Sequence, residues 1–169
     1  MQEKAEQYTR RITGYVRGKN HFKVLQATTN KLHRAIRNAT PAMLKRKPAP
    51  DKWSVAEILA HLAENELVFG YRLRFVLGSN GATIQAFDQN AWQANAGYLN
   101  KHPRQAFQLF ATLRGNNIAL LRSLSKEQWD FYGMHQERGK ETIHRMVELF
   151  AGHDINHLKQ IKGILKSTR

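Results

Sequence analysis

TIHRMVELFAGHDINHLKQIKGILK, residues 142–166, decides the fold class. On a helix turning about 100° per residue, Ile143, Met146, Leu149, Phe150, His153, His157, Gln160, Ile161 and Ile164 fall within about 60° of one line. The segment is therefore an amphipathic helix with two histidines set into its apolar seam. His144 falls on the opposite face, toward solvent. Ile155 lies about 180° from the seam, where a lone exposed apolar residue or a helix-to-helix dimer interface would put it.

The same period runs through most of the chain, and no long segment alternates with the two-residue period of a half-buried strand. The fold class is all-α. A short helical segment within residues 1–18 forms an N-terminal extension, and a first long helix covers Asn20 to Ala39, ended by Pro41 and KRKPAP. A second helix starts at Ser54, where Glu57 completes a capping box and Trp53 can staple onto Ile58, and runs to about Leu77. The polar connection GSNGATIQ leads to a shorter segment around Phe87–Tyr98. Pro103 opens the third long helix, and Ser125 and Gln128 stand at capping-box spacing in the turn before the last helix. These elements describe one domain over residues 1–169, a four-helix bundle with a long connection between the second and third helices.

Composition narrows the chemistry. Absence of cysteine excludes disulfides, thiolate metal sites and a cysteine nucleophile, leaving histidine and carboxylate as metal-binding groups. No segment reaches the roughly 18 apolar residues of a membrane span, and the first residues lack the apolar stretch of a signal peptide, so a cytoplasmic protein with no membrane partner is expected. The formal charge of +14 is uneven: residues 1–50 hold twelve Lys and Arg against two Glu, or +10, leaving +4 for residues 51–169. Such a surface attracts nucleic acid or an acidic partner, but it also serves solubility, and the chain shows no nucleic-acid motif.

His153 and His157 stand at i, i+4, which stacks two rings one turn apart, as a shared metal ion requires. Histidines satisfied by hydrogen bonds use the same spacing. Burial favours a metal, because a core has no packing reason to choose imidazole over Leu and an unpaired buried polar group costs about 1–3 kcal/mol. On the second helix, Glu57, Glu64, Asn65, Val68 and Arg72 gather around His61 at the polar edge of an apolar stripe, which reads as a pocket mouth or as an exposed, salt-bridged face. His21, His33, His102 and His135 have no partner at ligand spacing and read as solvated or loop residues. Trp53, Trp92 and Trp129 neighbour element starts, which suits anchoring contacts.

The stretch DKWSVAEILAHLAENE, residues 51–66, followed by GKETIHRMVELFAGHDINHLKQI, residues 139–161, closely resembles the DinB/YfiT-like superfamily of small four-helix-bundle metalloproteins. The similarity runs through most of residues 20–165, including AFDQNAW and LSKEQW. The resemblance implies three metal ligands, His61 on the second helix and His153 and His157 on the last. It further implies a divalent ion such as zinc or nickel with water completing its shell, and frequent homodimerisation. Characterised members of the family include thiol-dependent S-transferases and isomerases.

Three neutral imidazoles leave an ion its charge and an open position, the arrangement of a catalytic rather than a structural centre. The expected function is a metal-dependent enzyme acting on a small molecule, as a hydrolase or as an S-transferase using a low-molecular-weight thiol. The alternative is a non-catalytic basic module for an acidic partner or nucleic acid, with the metal structural or absent. No general base stands out: Glu57 can orient His61 or simply cap its helix, and Asp154 is about 100° around the helix from His153. Asn65 and Arg72 are candidates for holding an anionic or carbonyl group of the substrate, although an arginine on a helix is as readily a surface residue.

Overall fold

Ser54 begins the helix on which the site is built. In a computed structural model describing residues 5–167, its hydroxyl accepts from the Glu57 backbone N–H while the Glu57 carboxylate accepts from the Ser54 N–H, so the capping box forms as expected. In chain order the helices are α1 (Ala5–Gly14), α2 (His21–Ile36), α3 (Pro41–Lys45), α4 (Val55–Gly78), α5 (Gln89–Asn95), α6 (Pro103–Ser123) and α7 (Ile143–Ser167). The long helices α2, α4, α6 and α7 make the bundle, and the connection between α4 and α6 is the long one. Residues 1–4, within the expected N-terminal extension, and residues 168–169 lie outside the described residues.

Three features depart from the sequence reading. Pro41 does not merely stop a helix; it opens α3, whose first turn is capped by the Thr40 hydroxyl accepting from the Met43 N–H. The chain also forms a small sheet of β1 (Thr83–Ile84), β2 (Tyr132–His135) and β3 (Gly139–Thr142), with β1 parallel and β3 antiparallel to the central β2. Strands of two and four residues are too short to print a two-residue period, so the all-helical reading missed them. Ile155, opposite the seam, is partly buried and packs, as Phe22, Val24 and Phe150 do, against an internal apolar cluster.

That cluster is one of two. The first contains Leu32 and Ile36 of α2, Leu59 and Leu62 of α4, Phe110 of α6 and Ile161 of α7. The second contains Leu25, Phe69, Leu73, Leu121, Ile143 and Val147 of the same four helices. Between them runs a polar belt: Thr28 on α2, Glu64 to Glu66 on α4, Arg114 and Asn117 on α6, and Asp154 to His157 on α7 are all buried except for partly buried Ile155. At its centre the Arg114 guanidinium, 2% exposed, donates to both oxygens of Asp154 at 2.7 and 3.0 Å, to Glu66 at 2.7 Å and to the Leu25 carbonyl at 3.0 Å. Burial pulls this guanidinium's pKa down, but Asp154 and Glu66 outweigh burial and hold it above its ordinary value.

The N-terminal helix docks on the bundle at a point set by a missing side chain. A Cβ on Gly152 would stand 2.3 Å from the Ile12 carbonyl oxygen, so α1 reaches α7 only because residue 152 is glycine. Ile12 is 3% exposed there, and Arg11 of α1 donates to Asn156 of α7 at 2.7 Å.

Replacing Arg114 by Ala leaves Glu66 and Asp154 buried without their cation, and urea unfolding should show a loss of about 3–5 kcal/mol. Gly152→Ala should lift α1 and cost about 1–3 kcal/mol by overpacking, read as faster limited proteolysis between residues 10 and 20.

Candidate metal centre

α4 and α7 face each other across the polar belt, and this brings His61 to the histidine pair of α7. The Nε2 atom of His153 lies 3.0 Å from Nε2 of His61 and 3.0 Å from Nε2 of His157. His61 and His157 are buried, at 1% and 5% exposure, whereas His153 is partly open to a cleft. The three residues expected to act together are therefore in one place, with ligand atoms within 4.8 Å of one another.

The proton positions make this convergence informative. Gln160 Oε1 accepts from His157 Nδ1 at 2.7 Å, which puts the ring's proton on Nδ1 and leaves Nε2 with a bare lone pair aimed at the other two rings. Nε2 of His153, if protonated, can point its single hydrogen at only one of its two neighbours; if bare, it meets the His157 lone pair directly. A cation between the rings removes the conflict. A tetrahedral zinc with Zn–N near 2.0–2.1 Å would set its nitrogens about 3.3 Å apart, close to the observed spacing. The donor set fits a divalent ion.

Electrostatics keep the rings neutral. Burial, then His157 and His153, hold the His61 pKa well below its usual 6.5; burial and then the Arg114 charge bring His153 to about 3. His157 is likewise held well below 6.5, by burial first and His153 second, with Gln160 and Asp154 pulling the other way.

The surroundings sort the remaining candidates. Asn65 Nδ2 donates to the His61 carbonyl at 3.1 Å and sits 2.9 Å from His61 Nε2, so its amide borders the centre. The Glu57 carboxylate accepts from Ser54 in the capping box, accepts from Gln93 at 2.8 Å and pairs with Lys47 at 3.4 Å; none of these contacts is to a histidine. Glu64 accepts from the Tyr98 hydroxyl at 2.8 Å and pairs with Lys101. Arg72 is buried and lies farther along the same cleft, a cavity of about 980 Å³ that Asn65, Arg72, His153 and His157 all line. The α1 residues Tyr8, Arg11 and Ile12 close one of its sides. Trp53, read as an anchor, also places its ring 4.9 Å from His61.

Two participants escaped the sequence reading. Gln160 stood on the correct face, three residues after His157, and that spacing was its available signal. His135, a solvated or loop residue by its sequence, lies in β2, 3% exposed and 3.4 Å from Arg72. Nothing local announces it, because its neighbours come from α4 and the segment before α5.

A sequence model of the DinB superfamily matches residues 25–161. This chain belongs to the DinB superfamily. The proteins it is similar to include OB0413 of Oceanobacillus iheyensis, provisionally named a metal-dependent hydrolase, at 24% identity over 146 residues covering 86% of this chain and 84% of that one. YfiT of Bacillus subtilis, provisionally named in the same way, is 26% identical over 142 residues, covering 83% and 79% of the two chains. The solved structure of YfiT, described as a four-helix bundle of unusual topology, superposes with a TM-score of 0.80 over 99% of this chain and 90% of its own, at 21% identity. A mycothiol-dependent maleylpyruvate isomerase shares the fold at a TM-score of 0.70 and 11% identity, over 83% of this chain and 59% of that one. No helix among the described residues is long and apolar enough to cross a membrane.

The depressed histidines predict how the metal-free protein responds to acid. The unfolded chain takes up these protons near 6.5, whereas the folded chain resists until about 4 at His135 and about 3 at His153. Unfolding therefore binds protons in that window: stability is complete above pH 6.5 and falls as the pH drops below it. Urea midpoints measured with chelator at pH 7.5, 6.0 and 5.0 should decrease in that order, and less steeply in His153→Ala.

Proposed function

We propose that His61, His153 and His157 hold one divalent ion, zinc or nickel, through their Nε2 atoms, and that the protein is a metal-dependent hydrolase of a small molecule. The observation that carries this is the meeting of three Nε2 atoms with a bare lone pair fixed at His157 by Gln160. Held by three neutral ligands, such an ion keeps its charge and an open position and supplies the acidification of a bound water or thiol, toward a pKa of about 7 for water.

The chain's own residues do the rest. Gln160 retains the proton on His157 Nδ1, so the ring presents only its lone pair to the centre. Asn65 sets an amide donor at the cleft side of His61, where a substrate carbonyl or the group it becomes can be met. Trp53 covers one flank of the His61 ring and keeps water from that side. The proximity of OB0413 and YfiT supports the hydrolytic assignment.

One feature favours thiol transfer as a second reading. Among the described residues no carboxylate hydrogen-bonds to the three histidines, and a thiol, with a pKa near 8.5, needs less help from a base than water does. A cytoplasmic enzyme and a homodimer complete the proposal. The competing reading, a basic module for an acidic partner or nucleic acid, predicts no bound ion or one without chemistry.

Plasma mass spectrometry on untagged protein should find about one zinc or nickel per chain, and His61→Ala, His153→Ala and His157→Ala should each lose it. Retention of stoichiometric metal by all three variants contradicts the proposal. Gln160→Leu should weaken metal binding by about 10–100-fold without abolishing it, measured by competition with a chromogenic chelator.

A further inference from the structure

Arg72 is a buried cation without a counter-ion. It is 6% exposed and donates to the Gln85 carbonyl at 2.6 Å, yet among the described residues no carboxylate lies within ion-pair distance of it. Two other arginines near the belt and the cleft are neutralised: Arg114 by Glu66 and Asp154, and Arg138 by Glu141 at 2.5 and 3.1 Å. Glu141 is thus engaged, and Glu137 is exposed and pairs with neither arginine. Burial, aided by Arg138 and opposed by Glu141 and Glu137, lowers the Arg72 pKa only to about 10, so the charge persists at neutral pH. Keeping an unpaired charge out of water is expensive unless something completes it.

His135 sharpens the case. Its Nδ1 accepts from the Glu137 N–H at 3.2 Å, so the neutral ring carries its proton on Nε2. That Nε2 lies 3.4 Å from Arg72 Nη2, so two donors face one another with no acceptor between them. Arg72 also stands where two cavities meet, since Arg72, Ala86 and Phe87 line both the cleft of the histidines and a second hollow of about 400 Å³. The second hollow is apolar: Leu67, Tyr71, Phe75 and Trp92 contribute to it, and the Phe87 ring packs 4.9 Å from Trp92 and 5.8 Å from the Arg72 guanidinium.

We propose that Arg72 and His135 form an anion-binding subsite, which holds a carboxylate or phosphate of a partly apolar substrate whose reacting end lies at the three histidines. Arg72 follows His61 by eleven residues on α4, about 16 Å of helix rise, so the substrate is elongated. Its apolar portion occupies the hollow beside Phe87 and Trp92. The placement of the reacting end rests on the metal-centre reading above, whereas the subsite does not need the ion.

Calorimetric titration of the full chain with 4-phenylbutanoate, 4-phenylbutanamide and 3-phenylpropyl phosphate tests this, on zinc-reconstituted and on metal-free protein. At least one anion should bind about tenfold or more tighter than the amide in both forms, and which anion does so separates carboxylate from phosphate recognition. Arg72→Gln should erase the preference with its zinc stoichiometry unchanged, and Arg72→Lys should keep part of it. Equal binding of anion and amide by the unaltered protein, failure to bind either, or a preference that survives in Arg72→Gln overturns the subsite. An anion preference in a protein that takes up no zinc upholds the subsite and removes the metal reading; stoichiometric zinc with no anion preference does the reverse.

Discussion

The guanidinium of Arg114 touches all four long helices: it projects from α6, grips Asp154 on α7 and Glu66 on α4, and reaches the Leu25 carbonyl on α2. Hydrophobic burial alone would let these helices slide or rotate with modest loss, because the two apolar clusters are built from interchangeable aliphatic contacts. A two-pronged grip on a carboxylate does not tolerate that freedom. Such a buried ion cluster contributes little net stability compared with apolar packing, but it makes wrong registers costly. Asp154 follows His153 directly, so the grip that fixes α7 also fixes the direction of its histidines.

The cluster has a second effect through its charge. Its arginine bears on His153, opposing a proton there, while its Asp154 pulls the other way at His157. A cation at the centre would supply a positive charge that the rings lack. Burial, the dominant influence on each ring, prevents the histidines from supplying that positive charge themselves by protonation.

Much of this was readable from residue order. The capping box at Ser54 and Glu57 and the apolar seam of α7 are local patterns; the seam sets His153 and His157 on an inward face, and the helix begun at Ser54 sets His61 only at the edge of an apolar stripe. What stayed hidden depends on residues far apart in the chain. The β2–β3 hairpin is too short for periodicity and lies between polar residues, so His135 looked solvated. Arg72 reads from sequence as a substrate contact or a surface arginine, and its burial depends on the later segment that brings Gln85 and Phe87 against it. The docking of α1 rests on an absent side chain at Gly152, and absence has no pattern to read.

His61 and His153 are 92 residues apart, the second of them on the last helix. During synthesis, a chain that has emerged as far as α6 owns one of the three imidazoles and none of the α7 carboxylate that clamps Arg114. The centre therefore forms only after α7 has emerged and closed the four-helix bundle. A chain without α7 is a poor scavenger, so the proposed capture of an ion doubles as a mark of a closed bundle.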